Sequence, residues 1–262
     1  MLDFLYGLPD PVISLIFGTV MLLAVVILPS LLGPSFLRIE RDKDTADFAV
    51  RGQATVISFL AIVLGFSLVG AQGNLRTIES HVAAEASAIN QMDRLLQRYG
   101  DPKVFEMRPL LVAYTESVVT VEWPQMVHGG DVTVGSKPPL GQLSRAIYTI
   151  EPSVGRQTEI YNQILKQIDQ LSEARSQRID DSTLRLPAAF WEIILCLFVI
   201  LVALALLIEP TVGRSIAIGA QVLAVTLLLS LVFIYDVPFK GKTAVQPNEI
   251  IKTLALIKNR TS

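Results

Sequence analysis

The sequence predicts an all-α polytopic membrane protein, with four transmembrane helices and a helical bundle inserted between the second and the third. Three observations carry that expectation. The chain is 51% hydrophobic with a mean hydropathy of +0.50, which sets it apart from soluble domains. It holds four apolar stretches of the length, about 20 residues, that a helix needs to cross a hydrocarbon core of roughly 30 Å. Between the second and third of these, polar sequence keeps its apolar residues three and four apart, the repeat of one helix face.

The first apolar stretch is uncharged from Pro11 to Leu37, with Gly18 near its start and Pro29, Gly33 and Pro34 closing it. It predicts a helix over 11–32. A signal peptide is the competing reading, but the preceding residues carry Asp3 and Asp10 with no Lys or Arg, and no small-residue cleavage site follows, so the helix is expected to be retained. Residues 38–51 mix Arg38, Arg41, Lys43 and Arg51 with Glu40, Asp42, Asp44 and Asp47, as a tight connection between antiparallel membrane helices would.

The second stretch is uncharged from Gly52 to Leu75, between Arg51 and Arg76. Its small-residue face, Ala54, Ser58, Ala61 and Gly65, runs on into Leu68, Gln72, Leu75, Ile78, Val82, Glu85, Ile89, Met92 and Leu96. One long helix is expected, projecting on the order of 30 Å beyond the apolar part at 1.5 Å per residue. Tyr99-Gly100-Asp101-Pro102 then supplies a stop, a cap and a first-turn proline. A helix is expected from there through Val104, Met107, Leu111, Tyr114, Val118 and Val121, ended by Glu122-Trp123-Pro124. The glycines and prolines of 124–139 predict a loop. A short helix over 140–150, the Glu151-Pro152 interruption, and a long helix through Tyr161, Ile164, Ile168, Leu171, Arg175 and Arg178 complete a bundle of about four helices.

Leu186 to Ile208 and Ser215 to Tyr235 give the third and fourth membrane helices, separated by Glu209-Pro210 and Arg214, with Pro187 placed where a missing N–H is harmless. The tail ends in a short amphipathic stretch, Ile250 to Ile257, too polar to insert. The predicted organisation is therefore 1–75 (membrane helices 1 and 2), 76–185 (the bundle), 186–235 (membrane helices 3 and 4) and 236–262 (tail). Orientation stays open. The positive-inside rule places 38–51 in the cytoplasm, whereas Lys240, Lys242, Lys252, Lys258 and Arg260 of the tail favour the cytoplasm for the bundle side.

Several function classes are disfavoured by composition. The net charge is −2 and no run of like charges marks a nucleic-acid partner. With one cysteine, Cys196, and two histidines, His81 and His128, neither an intrachain disulfide nor a Cys/His metal cluster is expected; the histidines read as surface positions. No Ser-His-Asp set, phosphate-binding glycine loop or carboxylate pair appears, so neither catalysis nor a cofactor is expected.

Four positions or faces call for a role. Glu85 falls on an apolar seam, where a lone carboxylate is costly; counting back from Leu186 brings Arg175 to its height, with Arg178 one turn closer to the membrane. A register-fixing ion pair, a charged ring facing an oligomer axis or water-filled path, and a solvated surface position are the alternatives. Glu192, beside Trp191, is either interfacial or part of an ion path. The face of Ala54, Ser58, Ala61 and Gly65 admits close helix packing in lipid or the lining of a narrow pore.

Two membrane helices, a helical domain and two more membrane helices, together with Glu85-Ala86, Glu122-Trp123-Pro124, Arg175 and Arg178 ahead of Leu186-Pro187 and Trp191, and Asp236-x-Pro238-Phe239-x-Gly241, make the chain resemble the bacterial bestrophin-like family. True bestrophins are oligomeric anion channels whose pore is lined by the second membrane helix. The resemblance implies a multi-pass protein of the bacterial inner membrane, a homo-oligomer in the lipid bilayer, and anions as the species conducted; a non-conducting scaffold or sensor coupled to a partner protein is the alternative.

Overall fold

In the computed structural model the described residues are 3–29, 43–129, 132, 139–153, 155–208 and 211–260, and they are all-helical apart from turns and short connections. The elements are α1 (Asp10–Leu22), α2 (Lys43–Arg98), α3 (Pro102–Phe105), α4 (Arg108–Ser117), α5 (Trp123–His128), α6 (Pro139–Ile147), α7 (Arg156–Asp181), α8 (Ala188–Leu206), α9 (Val212–Tyr235) and α10 (Asn248–Asn259). A 3₁₀ turn, Asp3–Gly7, precedes α1, and π-helical turns follow α1 at Leu23–Ile27 and α4 at Val118–Glu122. Residues 30–32 of the expected first helix, 38–42 of the first connection, half of the 124–139 loop and Glu209-Pro210 lie outside the described residues.

The chain forms two compact units, residues 1–74 with 185–244, and residues 75–184 with 245–262. Four of the described helices, 10–27, 44–98, 188–206 and 212–235, are long and apolar enough to cross a membrane. Of these, α2 is one uninterrupted helix of 56 residues. No proline occurs between Pro34 and Pro102, so nothing removes a donor from its backbone ladder. It stops at Gly100, whose φ of 82° is a left-handed geometry that a Cβ disfavours.

The first unit packs by small-residue contacts and a few polar ties. A Cβ on Gly18 would lie 3.2 Å from Leu223, so α1 and α9 approach closely enough that a larger residue would require the leucine side chain to shift. Ser14 and Ser230 join the same two helices through their hydroxyls at 2.9 Å. Leu60 and Leu64 of α2 are fully buried with Leu201 of α8 and Val225 and Leu229 of α9, and Gln53 donates to the Leu201 carbonyl at 3.3 Å. Tyr6 stacks on Phe233 with centroids 4.6 Å apart, and the Leu186 N–H donates to Asp236 at 2.6 Å.

In the second unit the helix expected from 102 to 122 is divided. Pro109, at the start of α4, breaks it at Glu106-Met107, because its ring excludes a continuous ladder. Conversely Glu122-Trp123-Pro124 does not end it. The π turn over Val118–Glu122 delivers the chain into α5, with Pro124 in the first turn of α5 where its missing donor is not needed, and the helix ends at Gly129, φ 73°. The core joins Ile78, Ile89, Met92 and Leu96 of α2 with Leu111 and Tyr114 of α4, Leu143 of α6 and Leu171 of α7, all fully buried.

Helix α10 is fastened into this unit by charge. Arg108, 1% exposed, donates to Asp93 at 2.7 Å and to the Ile257 carbonyl at 3.2 Å. Arg260 donates to Asp93 at 3.1 Å and to Asn90 at 2.8 Å. Arg108 thus donates to a backbone carbonyl in the last turn of α10. Replacing Asp93 by Ala strands a buried guanidinium, with an expected loss of about 3–5 kcal/mol and faster amide exchange over Asn248–Asn259. Unchanged exchange in that helix would contradict the tie.

Candidate functional site

The seam position Glu85 lies at the centre of a buried polar network in the second unit. The carboxylate is fully buried and accepts three hydrogen bonds: from Tyr114 Oη to Oε1 at 2.5 Å, from Arg178 Nε to Oε2 at 2.5 Å and from Arg178 Nη2 to Oε1 at 3.2 Å. Arg178 Nη2 also donates to Glu122 Oε2 at 2.5 Å, and Arg175 donates to Glu122 Oε1 from Nε at 3.0 Å and from Nη2 at 2.8 Å. Met126 Sδ lies 3.4 Å from Arg178 Nη1, and the Trp123 ring stands 6.0 Å from the guanidinium carbon.

Two carboxylates face two guanidiniums, so the cluster balances its charge internally. Burial on its own would lower the Arg178 pKa, but Glu85, with Tyr114 and Glu122 behind it, carries it above the ordinary arginine value. Burial, and then the adjacent Glu85 carboxylate, push the Tyr114 phenol well above its usual range, so it serves as a donor. Every charged group here is matched by fixed partners, an arrangement suited to holding helices in register.

Of the two arginines expected near Glu85, Arg178 makes the contact and Arg175 turns to Glu122. The count from Leu186 assumed unbroken helix. Instead α7 ends at Asp181, and the chain to Pro187 is turn and extended backbone, which rises more per residue than a helix. The level of Glu85 therefore falls at 178. The partner belongs to the same chain. Sequence reading missed Tyr114, counted as an apolar seam residue, and Glu122, taken for a helix end; a hydroxyl on an otherwise apolar face was the available signal. It also placed His81 on the open surface, whereas Nδ1 of His81 lies 2.7 Å from Asp181 Oδ2. His128 bonds back to the Pro124 carbonyl at 2.6 Å.

Glu192 is exposed near the start of α8, with no ion-pair partner among the described residues. Among the described residues the small face of α2 is only partly covered: Ala54 and Ser58 are exposed, Ala61 and Gly65 half-buried, and a Cβ on Gly65 would meet nothing within 4 Å. At about 100° per residue, this part of α2 presents three faces. Gln53, Leu60, Leu64, Ser67 and Ala71 form the buried one; Phe59, Ile62, Phe66 and Val69 form an exposed bulky one; the small stripe lies between them, partly covered. The bulky face is what lipid requires. The small one offers room for close approach. Among the described residues no group of His, Cys, Asp and Glu is placed to hold a metal.

The family model described as Bestrophin-like domain matches residues 20–250. Crystal structures of two variants of a bacterial bestrophin homologue from Klebsiella pneumoniae share the fold: one has a TM-score of 0.63 at 16% identity, covering 96% of this chain and 99% of the other, and the second 0.64 at 14%, covering 95% and 97%. The crystal structure of a variant described as a membrane protein gives 0.68 at 13% identity, covering 95% and 98%. A search of curated proteins finds no match.

Two outcomes follow from the network. Glu85→Ala leaves Arg178 buried without its main partner and is expected to cost about 3–5 kcal/mol in denaturant unfolding; a loss under 1 kcal/mol would contradict the geometry. Tyr114, held neutral in the fold but free to ionise near pH 10 when unfolded, stabilises fully below that pH and loses its contribution as pH rises toward the folded pKa. A scan of Tm from pH 8 to 11 should fall at the alkaline end, and less steeply in Tyr114→Phe. Parallel curves would remove Tyr114 as the cause.

Proposed function

This chain belongs to the bestrophin-like family, and from that premise we propose that it is a multi-pass protein of a bacterial inner membrane that assembles as a symmetric homo-oligomer and conducts anions. Four apolar helices cross the bilayer in this reading, the bundle between the second and third stands to one side, and the α2 helices of the copies gather around the axis.

The observation that carries the proposal is the only partly covered face of Ala54, Ser58, Ala61 and Gly65. Lipid gains nothing from small side chains, and the bulky face of Phe59, Ile62 and Phe66 already provides a lipid-facing surface. A second copy, or a water-filled path that several copies enclose, is the remaining use for the small one. Arg51 and Arg76, both exposed, bracket it with the positive charge that attracts anions to a pore mouth. Glu85, Arg175, Arg178 and Glu122 form the frame that fixes α2, and Glu192 with Trp191 anchors α8 at the headgroup level.

The test is chloride efflux from liposomes holding the purified protein, read beside its mass in detergent. A defined oligomer with flux is expected. Gly65→Leu, placed where the chain leaves open space, should lower flux about tenfold or more with mass and Tm unchanged, because the added side chain enters the path and not the fold. Undiminished flux would take this face out of the path. A well-folded monomer or dimer without flux would favour a scaffold or sensor that couples to a partner protein.

A further inference from the structure

A groove of about 410 Å³ runs between the last turns of α2 and the first half of α7. Its lining includes three cations, Arg94, Arg98 and Lys166, and the carboxamides of Gln91, Gln163 and Gln170, with no carboxylate among them. Arg94 and Arg98 sit four residues apart on one helix, where like charges repel. Among the described residues none of the three cations has an ion-pair partner. The nearby carboxylate of Asp93 is taken by Arg108 and Arg260. Asp169 and Glu173 line the other end of the same furrow, where Lys166 also contributes. The floor is fixed: Gln167, buried, donates to the Ala88 carbonyl across the two helices at 3.4 Å.

The arrangement is unlike an ordinary solvated face, where charges of both signs alternate and neutralise one another. Arg98, in the last turn of α2, is favoured there by the helix dipole, but Arg94 lies a turn earlier and Lys166 in the interior of α7, so the dipole does not account for all three. Two guanidinium forks and an ammonium, flanked by amide N–H donors, match an oxyanion with several acceptor oxygens better than a spherical halide. The groove is within the size range of small-molecule sites.

We propose that the cationic end of the α2–α7 groove binds a multivalent oxyanion of the phosphate class, either free or carried on a lipid headgroup. This site is separate from the conduction path proposed above, and its occupancy is read without any measurement of flux.

The probe is inorganic tripolyphosphate, titrated calorimetrically into the purified full-length protein in a neutral, phospholipid-free detergent, with a parallel titration of mixed micelles containing cardiolipin. Saturable binding of tripolyphosphate identifies a free ligand, and saturation by cardiolipin micelles alone identifies a headgroup. Each of Arg94→Gln, Arg98→Gln and Lys166→Gln should weaken binding about tenfold, and the triple variant should abolish it with Tm and mass unchanged, since all three side chains are exposed. Sodium chloride at equal ionic strength should displace the ligand less well than sulfate does. The proposal is overturned if neither probe saturates, if the triple variant binds as the parent does, or if chloride and sulfate compete equally.

Discussion

Burying three charges beside a fourth, half-buried one is the constraint on which the second unit depends. Each buried ion of Glu85, Glu122 and Arg178 would cost several kcal/mol to strip of water alone, and the fold offsets this only because five charge-assisted contacts, two of them from Arg175, and the Tyr114 hydroxyl meet in one arrangement. An apolar seam can slip by a helical turn at modest cost. This one cannot, because a slip of α2 or α7 by one turn separates Glu85 from Arg178. The irregularity at Val118–Glu122 belongs to the same requirement: the π turn inserts the offset that brings Glu122 to the guanidinium while α4 keeps Tyr114 on Glu85. Local departures of this kind cluster where a side chain must be aimed.

The membrane-forming part of the chain was legible because its signal is long and uniform. Uninterrupted apolar runs predicted helices at α1, α2, α8 and α9, and the three-four spacing kept from Ala54 to Leu96 predicted the continuous α2. Glu85 was legible as an anomaly, a carboxylate on a seam. Its partners were less so. Which of two arginines one turn apart reaches it depends on where α7 stops, and Asp181 carries no stop signal of the glycine or proline kind. Pro109 was passed over because the apolar residues around it kept the three-four spacing through the break. Pro124 was over-read, since the π turn at Val118–Glu122 carries the helix past it to His128. Contacts such as His81 with Asp181 and Arg108 with Asp93 depend on tertiary placement that spacing does not carry.

The family assignment and the geometry address different questions. Resemblance to bestrophin homologues at 14–16% identity gives the fold and leaves the chemistry to this chain's own residues. Those residues divide α2. Beyond Leu75 its seam is sealed by its own chain, with Ile78, Ile89 and Met92 fully buried; before it, a stripe of alanine, serine and glycine is exposed or half-buried among the described residues. A protein that needed only to fold would gain by filling that stripe with leucine. Small side chains there suit the proposed use, either close contact between copies or a hydrated passage.

The account turns on that stripe meeting its counterparts in neighbouring copies. The most direct test is oxidative cross-linking of Ser58→Cys in a Cys196→Ser background, in native membranes, resolved as a ladder on a non-reducing gel. Gathering of the α2 helices around an axis predicts covalent linkage between copies at position 58. A protein that stays uncross-linked there, while the introduced thiol remains open to alkylation, would contradict it.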